Sequence, residues 1–504
     1  MRISRPKVVL SVAAVAVTAA LVPAVSSFAG SSASPGAAGV GDRLYPLLGN
    51  GGYDVQRYDL ALRYPKPDPR QTISGDVTVS AVATQNLSAF DLDFGGGTIG
   101  AVRVDGKPAG FSRSGDELVV TPARPLTAGS RFRVTVEGFT TTPTALDPAS
   151  LPGFVHTTDG TVLLGQPNTA HRLFPSNDHP RDKASYTVAL SAPKGWTAVA
   201  NGIQVGTREA GDHTVFTYQE SEPMATELLQ VAVGDFVVHG RPAVNGVPIR
   251  DVVPRRLADE LLPKTEVERE QLAWMESLVG PYPFENYGSL VMDLGVAGAL
   301  ETQTLSAYDT RIFGLPAAKR DPILAHELAH QWFGDSVSPY TWSDVWLNEG
   351  HATWYELLYA EKAGTVKEYT GFETRQAYLK SVYEQGDQFR STWGPVARPS
   401  KADNFRDVLN PNVYDGGAVV LYALEQEVGT AAFRRIERAW VRGHEGESVT
   451  TDDFIAVASK ESKRDLTGFL TSWLYGEKTP PMPGHPDWTV TPGTPSTPKR
   501  SLVR

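Results

Sequence analysis

Residues 326–335 read His-Glu-Leu-Ala-His-Gln-Trp-Phe-Gly-Asp, and residues 346–350 read Trp-Leu-Asn-Glu-Gly. About 3.6 residues make a helical turn, so imidazoles four apart share one face and can offer two nitrogens to one metal ion. Ile323, Leu324, Leu328 and Ala329 supply the apolar positions of such a helix, and Pro322 is expected in its first turn. Eighteen residues separate His330 from Glu349, room for a loop and the start of a second helix. A carboxylate from that second helix completes a His326, His330, Glu349 set. Three protein ligands leave a fourth position for water, the pattern of a catalytic rather than a structural zinc. Glu356, two turns beyond Glu349 on the same face, is expected to hydrogen-bond a ligand histidine from behind. Glu327, next to His326, is the candidate to take a proton from a zinc-activated water and return it to a leaving amine.

The two segments resemble the gluzincin zinc aminopeptidases, the family of aminopeptidase N and the leukotriene-hydrolysing aminopeptidases. The likeness extends over other blocks: Tyr-Asp-Val-Gln-Arg-Tyr from Tyr53, Gly-Gln-Pro-Asn-Thr-Ala-His-Arg from Gly165 on to Lys183, Gly-Val-Pro-Ile-Arg from Gly246, Val-Ala-Gly-Ala-Leu-Glu-Thr from Val296, and Val-Tyr-Asp-Gly-Gly from Val413. By that resemblance Glu301 holds the substrate's free α-ammonium, with Gln166 beside it. Gly298 and Ala299 border the substrate backbone, and the hydroxyl of Tyr414 supports the oxyanion. Leu300 and Thr302 stand where the family has Met and Asn. Leu keeps the apolar volume, while Thr removes an amide next to Glu301. Gly416 replaces a lysine of the family pattern without touching the phenol of Tyr414. Gln166 stands where many members carry a second amine-binding glutamate, and His351 also resembles the leukotriene-hydrolysing branch. His351 is not expected as a ligand, because residues two apart on a helix diverge.

The resemblance implies a zinc-dependent aminopeptidase, a metalloprotease with one Zn2+ per chain acting on peptides. A thermolysin-like endopeptidase is the alternative with the same metal chemistry, and a zinc-containing binding protein without catalysis is a third. By the resemblance, the chain is expected to end where longer members begin a helical carboxy-terminal domain, which implies a more open cleft or a cover supplied by another chain.

Composition bounds the reading. A chain of 504 residues with 41% hydrophobic content exceeds one typical domain. The net charge of −10 comes from mixed acids and bases without a basic stripe, which argues against nucleic acid as a partner. No cysteine is present, so disulfides, thiolate ligands and a cysteine nucleophile are excluded. Residues 1–29 have a basic start, an apolar stretch and a small-x-small ending at Ser27-Phe28-Ala29, the pattern of a secretory signal. Cleavage there would leave no stable membrane association, and a monomer is expected. The Gly, Ala and Val bias, with arginine outnumbering lysine, points to a high-GC bacterium.

The expected fold is α+β and multidomain. Residues 30–46 read as a flexible spacer. Residues 47–245 alternate with a period of two, as in Phe90-x-Leu92-x-Phe94 and Phe132-x-Val134-x-Val136, and predict a β-rich, sandwich or saddle-like amino-terminal domain. Residues 246–483 change to helical periodicity and predict a thermolysin-like mixed α/β catalytic domain. Residues 484–504, rich in Pro, Thr and Gly, read as a disordered tail.

Overall fold

The computed structural model describes residues 32–147, 153–295 and 298–491. The expected signal segment, the start of the spacer and the end of the tail lie outside them. Strand β1 (Tyr53–Arg63) pairs antiparallel with β2 (Ile73–Ala83), which pairs with β3 (Arg131–Thr141). Along β2, Ile73, Gly75, Val77, Val79, Ala81 and Ala83 are buried while the residues between them are half-exposed, the direct consequence of side chains alternating across a pleated strand. These strands form the centre of an eight-stranded sheet among the described residues. Strand β4 (Gly160–Leu164) belongs to a second, five-stranded sheet. Strands β5 (Ala184–Pro193) and β6 (His213–Met224) extend the large sheet, β5 lying parallel to β1. Strand β7 (Val231–Gly234) returns to the smaller sheet and pairs antiparallel with β4. Aromatic and branched side chains such as Tyr58, Leu60, Phe90, Phe132, Val162 and Leu173 fill a common core.

The second half opens with a hairpin, β8 (Phe236–Val244) and β9 (Val247–Pro254). Its tip is Asn245-Gly246, both at positive φ, the turn chemistry that suits a two-residue hairpin. Strand β9 then pairs parallel with β10 (Ser289–Met292), and a short edge strand, β11 (Ala299–Leu300), pairs with β12 (Ser306–Asp309). The boundary expected between 245 and 246 therefore falls at the tip of this hairpin, inside a five-stranded sheet among the described residues. An Asn-Gly pair punctuates the sequence, but here it joins two strands of one sheet rather than separating two domains.

Four helices matter for the site: α1 (Val267–Val279), α2 (Ala317–His330), α3 (Trp346–Lys362) and α4 (Pro411–Val428). Helix α2 starts five residues before Pro322, so the proline sits inside it rather than in its first turn. A proline deprives the helix of one amide bond, and Gln271 of α1 donates to the nearby carbonyl of Asp321 at 2.7 Å. Helix α4 begins at Asn410-Pro411, with Asn410 capping the amide of Asn412, which places Tyr414 in its first turn.

Two segments expected to be loose are packed where they are described. In the spacer, Ser34–Pro35 pairs with Leu87–Asp93, and Asp42 and Leu44 are buried. In the tail, Trp488 is buried and stacks on His485 at 4.4 Å and on Tyr422 at 5.7 Å. A single buried acid or indole can anchor a segment without any periodicity, so composition alone misreads both. No helix among the described residues is long and apolar enough to cross a membrane.

Candidate metal centre

Helices α2 and α3 carry His326, His330 and Glu349 to one point. Oε2 of Glu349 lies 3.4 Å from Nε2 of His326 and 3.4 Å from Nε2 of His330. Ligand atoms about 2.05 Å from a tetrahedral ion stand roughly 3.3 Å apart, so the spacing fits zinc. All three side chains are buried, and Oε2 of Glu349 has no hydrogen bond among the described residues. The outer ring nitrogens are engaged elsewhere. Nδ1 of His326 is 2.8 Å from Glu356, which also accepts from the hydroxyl of Tyr369, and Nδ1 of His330 is 3.0 Å from the carbonyl of Phe333. A ring that donates from Nδ1 keeps its Nε2 lone pair for a metal. Glu356 thus stands behind His326, on the ring nitrogen turned away from Glu349. Tyr369 had no sequence signal, because a lone tyrosine on a later short helix is indistinguishable from core.

Local geometry explains why these residues converge. The chain turns sharply after α2 at Gly334, whose φ is +136°; a Cβ there would stand 3.0 Å from the Asn348 amide and 3.3 Å from Nδ1 of His330. Only glycine lets the loop close this tightly behind the ligand ring. Helix α3 then crosses α4 at Gly350 and Gly417, where a Cβ on Gly417 would lie 2.7 Å from the Cα of Gly350. That close crossing brings Tyr414 to the site. Its ring lies nearly parallel to that of His326, with centroids 5.9 Å apart.

The electrostatics follow from burial among charges. Burial alone would raise the carboxyl of Glu349, but the charge of His330 and the two imidazoles facing it hold it at about 2. Burial pushes Glu327 up to about 7; the neighbouring imidazoles oppose this, and the charges of Glu301 and Glu349 add to it. Glu301, Glu327 and His330 present one atom each within 4.8 Å of one another.

Glu301 follows the edge strand β11. Gln166 donates from Nε2 to its carboxylate at 2.6 Å, and Gln331 donates to its backbone carbonyl at 3.3 Å. Gln331 also accepts from the hydroxyl of Tyr282 at 3.0 Å and from the amide of Thr304 at 2.9 Å. Thr304 is a branched residue at φ +65°, a strained conformation that these bonds hold in place. The residue directly after the second histidine is therefore a brace for the Glu301 loop, a role that spacing did not reveal. The hydroxyl of Thr302 turns away into the loop, bonding the carbonyl of Leu305 at 2.5 Å and accepting from Gln230 at 3.2 Å. Gly298 gives its carbonyl to the amide of Asp309 at 2.9 Å, and Ala299 is half-buried on the edge strand. His351 is buried against Phe333 with centroids 4.5 Å apart, and it faces Leu347 and Glu437 rather than the three ligands.

Two histidines on one helix, an acid on the next and a mixed sheet with an open edge define a gluzincin-type metallopeptidase domain behind a β-rich domain. The chain belongs to peptidase family M1: residues 264–473 match the Peptidase family M1 domain, and residues 55–228 match the Peptidase M1 N-terminal domain. An M1 zinc metallopeptidase from Deinococcus radiodurans has the same fold, with a TM-score of 0.77 and 30% identity over 88% of this chain and 99% of its own. A mutant of that enzyme bound to a Tyr-Ser-Ala substrate gives a TM-score of 0.76 and 32% identity over 89% of this chain and all of its own. Aminopeptidase N from Streptomyces lividans is 29% identical over 60% of this chain and 36% of its own length. Aminopeptidase M1 from Arabidopsis thaliana is 27% identical over 62% and 36%. The chain thus spans about a third of the length of these curated relatives.

Proposed function

We propose that the protein is an exported zinc aminopeptidase that releases amino-terminal residues from peptides. His326, His330 and Glu349 would hold one zinc ion, in keeping with their spacing and with the acceptors behind the two rings. Zinc bound there supplies Lewis acidity, which lowers the pKa of water to about 7 and polarises a carbonyl. Glu327 takes the proton of the attacking water and delivers it to the departing amine; it stands next to His326 and close to His330 on the helix that carries both imidazoles. Tyr414 donates its phenolic hydrogen to the carbonyl oxygen as charge develops there. The substrate backbone lies along the exposed edge of β11, beside Gly298 and Ala299. Export rests on the residue pattern of the first 29 positions.

One observation carries the amino-terminal specificity. The carboxylate of Glu301 is fixed by Gln166 within 4.8 Å of Glu327 and His330. An acid at that fixed distance from the reacting centre holds a free α-ammonium and makes the enzyme count from the chain end. Comparing an aminoacyl-naphthylamide with its N-acetylated form tests this. We expect a preference for the free amine of about tenfold or more, the worth of one charged hydrogen bond. Equal cleavage of both would point to an endopeptidase.

A further inference from the structure

Lys183 has no role in the reading above, although the block of likeness that begins at Gly165 ends on it. It stands half-buried directly before β5, in the β-rich half of the chain. Its Nζ nonetheless reaches the loop behind α2, donating to the carbonyl of Asp335 at 2.7 Å and to that of Ser336 at 2.8 Å. The carboxylate of Asp335 makes no hydrogen bond among the described residues, so the lysine grips the loop by its backbone. The hydroxyl of Ser338 at 3.1 Å and the amide of Gly446 at 3.0 Å supply a second donor to each of the two carbonyls. Burial pushes the lysine's pKa down to about 7, against the charges of Asp335, Glu227 and Glu220. With or without its extra proton the nitrogen keeps two N–H bonds, one for each carbonyl.

The gripped peptide groups are the ones that close the end of α2. The first has the carbonyl of Asp335 and the amide of Ser336, and that amide donates to the carbonyl of Gln331 at 3.2 Å. The next donates from Val337 to the carbonyl of Trp332 at 3.3 Å. Val337 in turn accepts from the amide of Gly334 at 2.9 Å. The peptide that bears this amide also bears the carbonyl of Phe333, which lies 3.0 Å from Nδ1 of His330. A carbonyl only accepts, so Nδ1 donates and Nε2 is left for the metal. Glycine at 334, with φ +136°, lets this peptide swing, so its direction is set by the loop's hydrogen bonds.

We infer that Lys183 is a positioning residue for the metal centre: from the β-rich half it fixes the loop 333–337, so that the carbonyl of Phe333 keeps the His330 ring turned with Nε2 towards the metal. This deepens the zinc reading and rests on it.

The test compares the wild type with Lys183→Met, Lys183→Gln and Asp42→Ala. Asp42 also joins the two halves, at the amide of Trp342, but it bonds none of the peptides behind His330. Asp42→Ala therefore reports the effect of loosening the join alone. Zinc affinity is measured by competition with a chromophoric chelator, beside the thermal midpoint of the metal-free protein. Lys183→Met is expected to weaken zinc binding about ten- to a hundredfold, and Lys183→Gln, which keeps an N–H donor, to weaken it less. Asp42→Ala should lower the midpoint while zinc affinity stays within about twofold. Unchanged zinc affinity in both Lys183 variants overturns the inference, and so does an equal loss in Asp42→Ala. The wild type gives a check that needs no variant: by linkage, zinc should slow hydrogen exchange at the amides of Ser336 and Val337. Exchange there that ignores zinc overturns the inference even where the variants do not fold. A wild type that binds no zinc defeats the metal-centre reading itself; one that binds zinc with an indifferent Lys183 defeats only this inference.

Discussion

Glu327 is flanked by His326 and within reach of Glu301, so its substitution separates metal binding from proton transfer. Glu327→Gln keeps volume and removes the titratable group. We expect a fall in kcat of about 10²–10⁴-fold, with zinc content per chain unchanged by elemental analysis. Loss of the metal in this variant would instead make Glu327 part of the binding set. A second residue, His171, sets a pH dependence far from the site. Burial would lower its pKa, but the carboxylate of Asp116 at 3.7 Å and that of Asp178, hydrogen-bonded at 2.6 Å, raise it to about 10. The folded state therefore binds a proton that the unfolded chain releases near 6.5. The stabilisation is fully present below that pH and is lost as pH rises towards 10. The urea midpoint should decline between pH 7 and 9, and the decline should flatten in His171→Gln.

Among the elements, the crossing of α3 and α4 is the most exacting. Glycine faces glycine there, and each would place a Cβ within about 3 Å of the other's Cα. Helix α3 carries Glu349 one residue before Gly350, and α4 carries Tyr414 three residues before Gly417. Gly417→Ala should force the helices apart at a cost of about 1–3 kcal/mol, read as a lower thermal midpoint. The same shift should lower kcat, because Glu349 and Tyr414 move with their helices. An unchanged midpoint and kcat would show that the crossing has slack. The Gly-Gly pair at 416–417 stood out in the sequence only as a departure from the family's lysine; its packing role needs the partner helix to be visible.

For the whole molecule, the segment before β1 acts as a strap. Asp42 accepts from the amide of Trp342 at 2.7 Å and from that of Leu44 at 2.7 Å, and it lies 3.2 Å from Nε2 of His179. It thereby ties the β-rich half to the helical half at a buried point. Asp42→Ala should leave those donors unpaired and cost about 1–3 kcal/mol, measured as a drop in the denaturant midpoint. A chain starting at residue 47 should lose at least as much; equal stability of the truncated chain would return the segment to the status of a spacer.

The division between sequence and structure follows from the range of each interaction. The metal set was legible because its spacing is local: two histidines one helical turn apart must share a face, and an acid one loop later has few other places to go. The period-two strands and the helical second half were legible for the same reason, since burial on one face writes itself into neighbouring residues. Family likeness added Glu301, Gln166 and Tyr414, whose positions no spacing could supply. Only the tertiary structure decided that Asn245-Gly246 joins two strands of one sheet, that Asp42 and Trp488 are buried, and that Gln331 braces the Glu301 loop. Each of those depends on a partner that is distant along the chain, and a buried contact between distant residues leaves no periodic trace in either segment.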